Sequence, residues 1–166
     1  MKKTKQIIAI LCTAVIVIIP FLKKLQPLLQ PLEQDGVELA KCTDGDTAHF
    51  IIDGKDTTVR FLAIDTPETK KPNTPVQPFG KEASKYTCDA LQKANVIRLE
   101  YEADKTDKYG RCLAWVFVDD QLLQEKLVQK GYAKVAYLYG DYKYTDTLQK
   151  AERKAKTDKI GLWNGK

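Results

Sequence analysis

Histidine is almost missing from this chain: His49 is the only one in 166 residues. None of the four cysteines falls in a C-x-x-C pair, which argues against zinc. There is no glycine-rich dinucleotide or nucleotide-phosphate loop and no nucleophilic triad. Residues 1–32 contain no acid but five lysines (Lys2, Lys3, Lys5, Lys23, Lys24). The net charge of +5 therefore belongs to that segment, because residues 33–166 balance 22 basic against 22 acidic groups. A neutral domain of this kind does not attract nucleic acid through its overall field. It would have to use local basic groups or a metal. No uncharged run reaches the roughly 20 residues of an ordinary membrane span; the largely apolar stretch Ile7 to Leu22 has sixteen.

That run, flanked by lysines at both ends, reads as a signal peptide or signal anchor over residues 1–24. An uncleaved anchor is the preferred reading, since Ile18, Ile19, Phe21 and Leu22 are too bulky for a clean cleavage site. The first charged cluster would stay cytoplasmic and leave the rest outside, tethered to the membrane or secreted. Residues 25–36, with Pro27 and Pro31, read as a linker. One domain then spans 37–164, expected as a monomer.

Within it, strands are expected at Val37 to Asp44, Thr47 to Ile52, Thr57 to Ile64, Val96 to Tyr101 and Arg111 to Val118. Asp53-Gly54 marks a hairpin between the second and third. Helices are expected at Gly80 to Ala94, from an Asp119 or Asp120 cap to Lys130 before Gly131, and from a Thr145 or Asp146 cap to about Thr157. The fold class is α+β, mostly β: a five-stranded OB-fold barrel with three helices, preceded by an N-terminal hydrophobic helix. Cys42, Cys88 and Cys112 are expected as small apolar fillers, with a Cys42–Cys112 bridge as the alternative.

The polar residues gather at strand ends. Arg60 precedes the apolar run Phe61-Leu62-Ala63-Ile64, and Asp65, Thr66, Pro67 and Glu68 follow it. Proline cannot join a sheet ladder, so the strand must end there and hold two carboxylates at its rim. Asp44-Gly45-Asp46-Thr47 lies between the first two strands. Thr106-Asp107-Lys108-Tyr109-Gly110-Arg111 leads into the fifth, and Tyr137 and Tyr139 lie further on. Carboxylates from two strands suit Ca²⁺, a hard cation. Paired arginines match phosphate oxygens, a remaining carboxylate can act as a base on water, and tyrosines stack on bases. Singly, D-G-D-T and D-T-P-E read equally well as polar turns. His49 is expected to be structural or at the surface.

Taken together, D-G-D-T, R-x-x-x-x-D-T-P-E-T, F-G-K-E-A-S, T-D-K-Y-G-R and A-K-V-A-Y-x-Y resemble the staphylococcal nuclease (thermonuclease) family in order and approximate spacing, from Val37 to Trp163. The resemblance implies an OB-fold, Ca²⁺-dependent phosphodiesterase acting on DNA and RNA. It implies Ca²⁺ ligation by Asp46, Asp65 and the Thr66 carbonyl, with Glu68 as the base for the attacking water. Arg60 and Arg111 would clamp the phosphate. Lys108 and Tyr109 would contact a neighbouring or terminal phosphate, and Tyr137 and Tyr139 would line the nucleotide pocket. After Lys70 and Lys71 the following loop has no further basic residue, whereas the best-known member is lysine-rich there, so weaker capture of long polymers is expected. Two rival readings are a non-catalytic nucleic-acid-binding barrel of the same superfamily, which the complete set of catalytic residues disfavours, and an extracellular interaction scaffold.

Overall fold

A computed structural model describes residues 36–69 and 75–165. The expected N-terminal hydrophobic helix, nearly all of the linker and the first part of the proline-rich loop lie outside the described residues. Among the described residues no helix is long and apolar enough to cross a membrane.

Three strands form an antiparallel meander: β1 (Glu38–Cys42), β2 (Thr47–Ile52) and β3 (Lys55–Phe61). Asp53 (φ 50°) and Gly54 (φ 74°) supply the two left-handed residues that a two-residue hairpin with right-handed twist requires. The strand β3 runs on, with a reversal, into β4 (Ile64–Asp65). Helix α1 (Gly80–Lys93) follows, then β5 (Ile97–Glu100), β6 (Cys112–Val118), β7 (Gln121–Leu122), α2 (Leu123–Gln129), β8 (Lys134–Val135), α3 (Thr145–Thr157) and a 3₁₀ turn at Gly161–Trp163. The main sheet has the order β1-β2-β3-β6-β5, with β3 and β6 parallel. Its two edges are joined where the Val37 N–H donates to the Ile97 carbonyl at 2.8 Å. The result is a mixed α+β fold with a curled, half-barrel sheet and three helices, consistent with an OB-like architecture.

Four expectations need correction. The strand expected over Thr57 to Ile64 breaks, because Ala63 takes a left-handed backbone (φ 60°). Leu62 N–H bonds Ala114 O at 3.0 Å and Ala63 O accepts Ala136 N–H at 3.0 Å, so the run splits between two sheets while all four apolar side chains stay buried. Asp65 thereby leaves the line of β3 and pairs with Lys134 in the short β4–β8 ladder. Asp119 and Asp120 do not cap α2; both have positive φ in the β6–β7 turn, and Asp119 accepts the N–H groups of Asn95 and Val96. Thr145 and Asp146 lie inside the first turn of α3 and supply no side-chain cap. The cysteines are not all fillers, nor is the bridge Cys42–Cys112: Cys42 bonds Cys88, tying the end of β1 to α1, and Cys112 is free.

Gly131 does end α2 as expected, at φ 62°. The N–H of Gly131 bonds Val128 O and that of Tyr132 bonds Leu127 O, which satisfies two terminal carbonyls. The core lies between the sheet and the helices, built from Phe50, Phe61, Ile64, Leu91, Trp115, Leu123, Leu127 and Leu148. Gln124 is fully buried on α2 yet satisfied, accepting from Val116 N–H (3.1 Å) and donating to Ala114 O (3.0 Å). This welds α2 to β6, the strand that follows Arg111.

Candidate active site

The Asp44–Asp46 turn joins β1 to β2, and Asp44 Oδ1 accepts the Asp46 N–H at 3.1 Å. Gly45 is needed there for room: a Cβ would lie 2.8 Å from Thr66 Oγ1 and 2.9 Å from Ala83 Cβ. Buried Thr87 of α1 donates its hydroxyl to Gly45 O at 2.7 Å, and the neighbouring Cys88 bridges to Cys42. The turn is therefore pinned to α1 by a hydrogen bond and a covalent bond.

Asp46 is only 7% exposed. Its Oδ2 accepts both the N–H (2.8 Å) and the hydroxyl (2.9 Å) of Thr66, and its Oδ1 accepts the Thr47 hydroxyl at 3.1 Å. Arg60, 9% exposed, spends one N–H on Phe61 O (2.7 Å) and one on Ile64 O (2.8 Å). Those carbonyls are presented by the reversal at Ala63. They fix the guanidinium plane while using only two of the five N–H groups an arginine carries. Its Nη2 lies 3.2 Å from Asp46 Oδ2 and 3.8 Å from Asp65 Oδ1. The other Asp65 oxygen is 3.0 Å from Lys134 Nζ, a contact that raises the lysine above its usual value.

Burial, the adjacent Asp46 and, more weakly, Glu68 push the Asp44 carboxyl up to about 6. Asp44 thus resists ionising in its buried place beside Asp46, a condition that a divalent cation relieves. All the donors are hard oxygens, the set Ca²⁺ prefers. Among the described residues no group of three or more His, Cys, Asp or Glu already surrounds one point. The donor chemistry fits Ca²⁺; the structure itself assigns no coordination geometry.

Glu68 stands in the turn after Pro67. Its Oε1 accepts the Thr69 N–H at 3.0 Å, and its own N–H donates to Gln77 Oε1 at 3.0 Å. On the other side of Arg60 a groove of about 630 Å³ opens. Arg60, Lys108, Tyr109, Arg111, Tyr137 and Tyr139 all line it. Arg111 directs Nε and Nη2 onto Asp107 Oδ2, each at 2.7 Å, while Asp107 Oδ1 accepts the backbone N–H groups of Tyr109 and Arg111. Burial alone would raise the Asp107 carboxyl, but the bonds from Arg111 and Tyr109 outweigh it and hold it below the usual range. Tyr137 has a left-handed backbone (φ 57°), uncommon for a bulky residue, with its ring 5.5 Å from the Arg60 guanidinium. Tyr109, Tyr137 and Tyr139 are 71%, 50% and 81% exposed, so all three are accessible to a ligand in the groove.

The residues expected to act together thus form two groups. Asp46, Asp65 and Thr66 gather on one side of Arg60, and Arg111 with the four substrate-binding candidates lies along the groove; Arg60 belongs to both. His49 is remote, bonded to Asp56 on the β2–β3 hairpin. Sequence reasoning gave no separate role to Asp44, Gln77, Asp107 or Lys134. Asp107 was legible as a carboxylate four residues before Arg111. Nothing in the sequence brings Lys134 to Asp65, since that contact depends on the β4–β8 ladder.

The family model described as staphylococcal nuclease homologue matches residues 58–165. The thermonuclease of Staphylococcus hyicus is 37% identical over 169 residues, spanning 99% of both chains. Endonuclease YncB of Bacillus subtilis is 47% identical over 131 residues, 78% of this chain and 62% of its own length. The SPbeta prophage-derived endonuclease YokF of Bacillus subtilis is 46% identical over 77% of this chain, which spans only 44% of that protein. With its motifs, fold and a near full-length match all in agreement, the chain belongs to the staphylococcal nuclease family.

Proposed function

We propose that this protein is a nuclease that uses Ca²⁺ to hydrolyse phosphodiester bonds of DNA and RNA, leaving 3′-phosphate and 5′-hydroxyl ends. The observation that carries the reading is Arg60: a buried guanidinium, oriented by two backbone carbonyls, that touches both acidic residues on one side and lines the arginine- and tyrosine-bearing groove on the other. The relatives' names, thermonuclease and endonuclease, point the same way.

Arg60 and Arg111 bind the equatorial phosphate oxygens, and their effect is largest where charge grows in the transition state. Asp46, Asp65 and the Thr66 carbonyl would hold Ca²⁺, which when bound would supply further positive charge near the same phosphate. Glu68 accepts a proton from the attacking water as its oxygen bonds to phosphorus, and the 5′ oxygen departs in line and takes a proton from solvent. Lys108 and Tyr109 hold an adjacent phosphate, while Tyr137 and Tyr139 present ring faces to the nucleotide. Arg60 needs a preset orientation because a long, free arginine would lose much of its advantage to ordering entropy. The Cys42–Cys88 bond favours an oxidising setting, in keeping with an exported, monomeric protein, tethered or secreted.

The test is cleavage of single-stranded DNA by the full chain with Ca²⁺, with excess chelator, and with Glu68→Gln. Calcium-dependent cleavage that drops at least a hundredfold in the variant is the expected result. A folded wild-type protein that binds DNA without cutting it would instead make this a nucleic-acid-binding module.

A further inference from the structure

Building on the nuclease reading, we propose that Gln77 is a positioning residue for Glu68, holding the proposed base through its backbone. The Glu68 N–H donates to Gln77 Oε1 at 3.0 Å, and the Gln77 N–H returns a bond to Glu68 O at 3.1 Å. The two residues are nine positions apart in sequence, so this reciprocal pair is a contact that sequence neighbourhood alone does not impose. The Gln77 carbonyl in turn accepts the N–H of Gly80, the first residue of α1, at 3.1 Å.

Gly80 makes the arrangement possible by close approach. A Cβ there would lie 3.0 Å from Pro67 O and 3.2 Å from Glu68 O. The Pro67–Glu68 backbone therefore rests directly on the start of α1. Seven residues further along the same helix, Thr87 holds the Gly45 carbonyl, and Cys88 is bonded to Cys42. One helix thus sets the placement of both Glu68 and the Asp44–Asp46 turn. Gln77 is the clamp at the Glu68 end.

The Glu68 side chain is also tied to this stretch of backbone, because its Oε1 accepts the N–H of the next residue, Thr69. A rotation of the peptide at Glu68 would carry the carboxylate with it. Gln77 itself is exposed and contributes nothing to the core, so a change there is not expected to unfold the protein. Its side chain offers one acceptor to one catalytically placed N–H, and an ordinary neutral hydrogen bond of this kind is worth up to about a tenfold change in a local equilibrium.

The experiment compares wild type, Glu68→Gln, Gln77→Leu and Gln77→Glu in the full chain, on single-stranded DNA with Ca²⁺. Leucine keeps the bulk and removes the acceptor; glutamate keeps an acceptor oxygen. The Gln77 backbone bonds are the same in all. Gln77→Leu should lower kcat about tenfold, with KM and the Ca²⁺ concentration for half-maximal rate changed less than about twofold, and Gln77→Glu should restore most of the loss. In parallel, amide hydrogen exchange at Glu68, read by NMR, should speed up about tenfold in Gln77→Leu and return toward wild type in Gln77→Glu. Unchanged kcat and exchange in Gln77→Leu, beside a Glu68→Gln variant that is inactive, would overturn the role of Gln77 while leaving the nuclease reading intact. A wild type that does not cleave would instead remove the nuclease reading, and with it any role for Gln77 in catalysis.

Discussion

Arg60→Lys keeps the positive charge and loses the planar fork. Two backbone carbonyls hold the guanidinium at 2.7 and 2.8 Å, and a lysine ammonium cannot satisfy both while also reaching Asp46 and the groove. If Arg60 serves the transition state, steady-state kinetics should show kcat falling roughly a hundredfold with a smaller change in KM. An equal rise in KM at constant kcat would assign it to ground-state binding. Gly45→Ala probes the acidic turn from the opposite direction, by filling space. The added methyl would press on the Thr66 hydroxyl and on Ala83, so Thr66 could not keep both bonds to Asp46. We expect about 1–3 kcal/mol of destabilisation in a urea melt, together with weaker Ca²⁺ binding by calorimetry. Unaltered Ca²⁺ affinity would separate the turn's fold from ion binding.

The elements that sequence made legible are those set by neighbours in the chain. Asp53-Gly54 signals its own hairpin, α1 shows its buried Ala83, Thr87 and Leu91 at helical spacing, and Gly131 ends α2 where expected. The candidate site residues were legible as polar groups at strand ends, and the roles given to them are those the resemblance implies. What stayed hidden depends on partners far away in sequence. The reversal at Ala63 is fixed by bonds to Ala114 and Ala136, and Cys88 lies 46 residues from Cys42. Valine at position 63 would suffer twice, from its branched Cβ at positive φ and from overpacking in a fully enclosed spot. Ala63→Val should cost about 2–3 kcal/mol by denaturant titration. The segment before α3 is anchored to β5 through Glu100. Lys143 and the Tyr144 hydroxyl both bond Glu100, and Tyr144 and Tyr142 meet Trp115 edge-on. Burial tends to raise the Glu100 carboxyl, but these two donors outweigh it and leave it below its usual value. A depressed carboxylate stabilises above its unfolded pKa, and that stabilisation is lost as pH falls through the folded one. Trp115 fluorescence should therefore change on acidification below the normal glutamate range, and Glu100→Gln should abolish that part of the change.

For the molecule as a whole, Ca²⁺ that binds only the folded state must raise its melting temperature. At a hundred times the dissociation constant the gain is about 2.7 kcal/mol. Calorimetry with Ca²⁺ and then with chelator should show a reversible shift, and its absence would argue against a folded-state Ca²⁺ site. The Cys42–Cys88 bond closes a loop for which chain-entropy arguments give roughly 4 kcal/mol of stabilisation, so Cys42→Ser with Cys88→Ser should lower the melting temperature markedly. That bond also makes part of the chain topologically a ring. Every acidic candidate (Asp44, Asp46, Asp65 and Glu68), together with Arg60, lies on the ring, whereas Arg111 and the lysine and tyrosine candidates lie on the tail that leaves it after Cys88. One peptide-bond break anywhere between Cys42 and Cys88 therefore opens the ring without releasing a piece, and the two fragments should run as one species until a reducing agent parts them. A break in the tail separates at once. No single cut within the ring can therefore detach one acidic candidate from another.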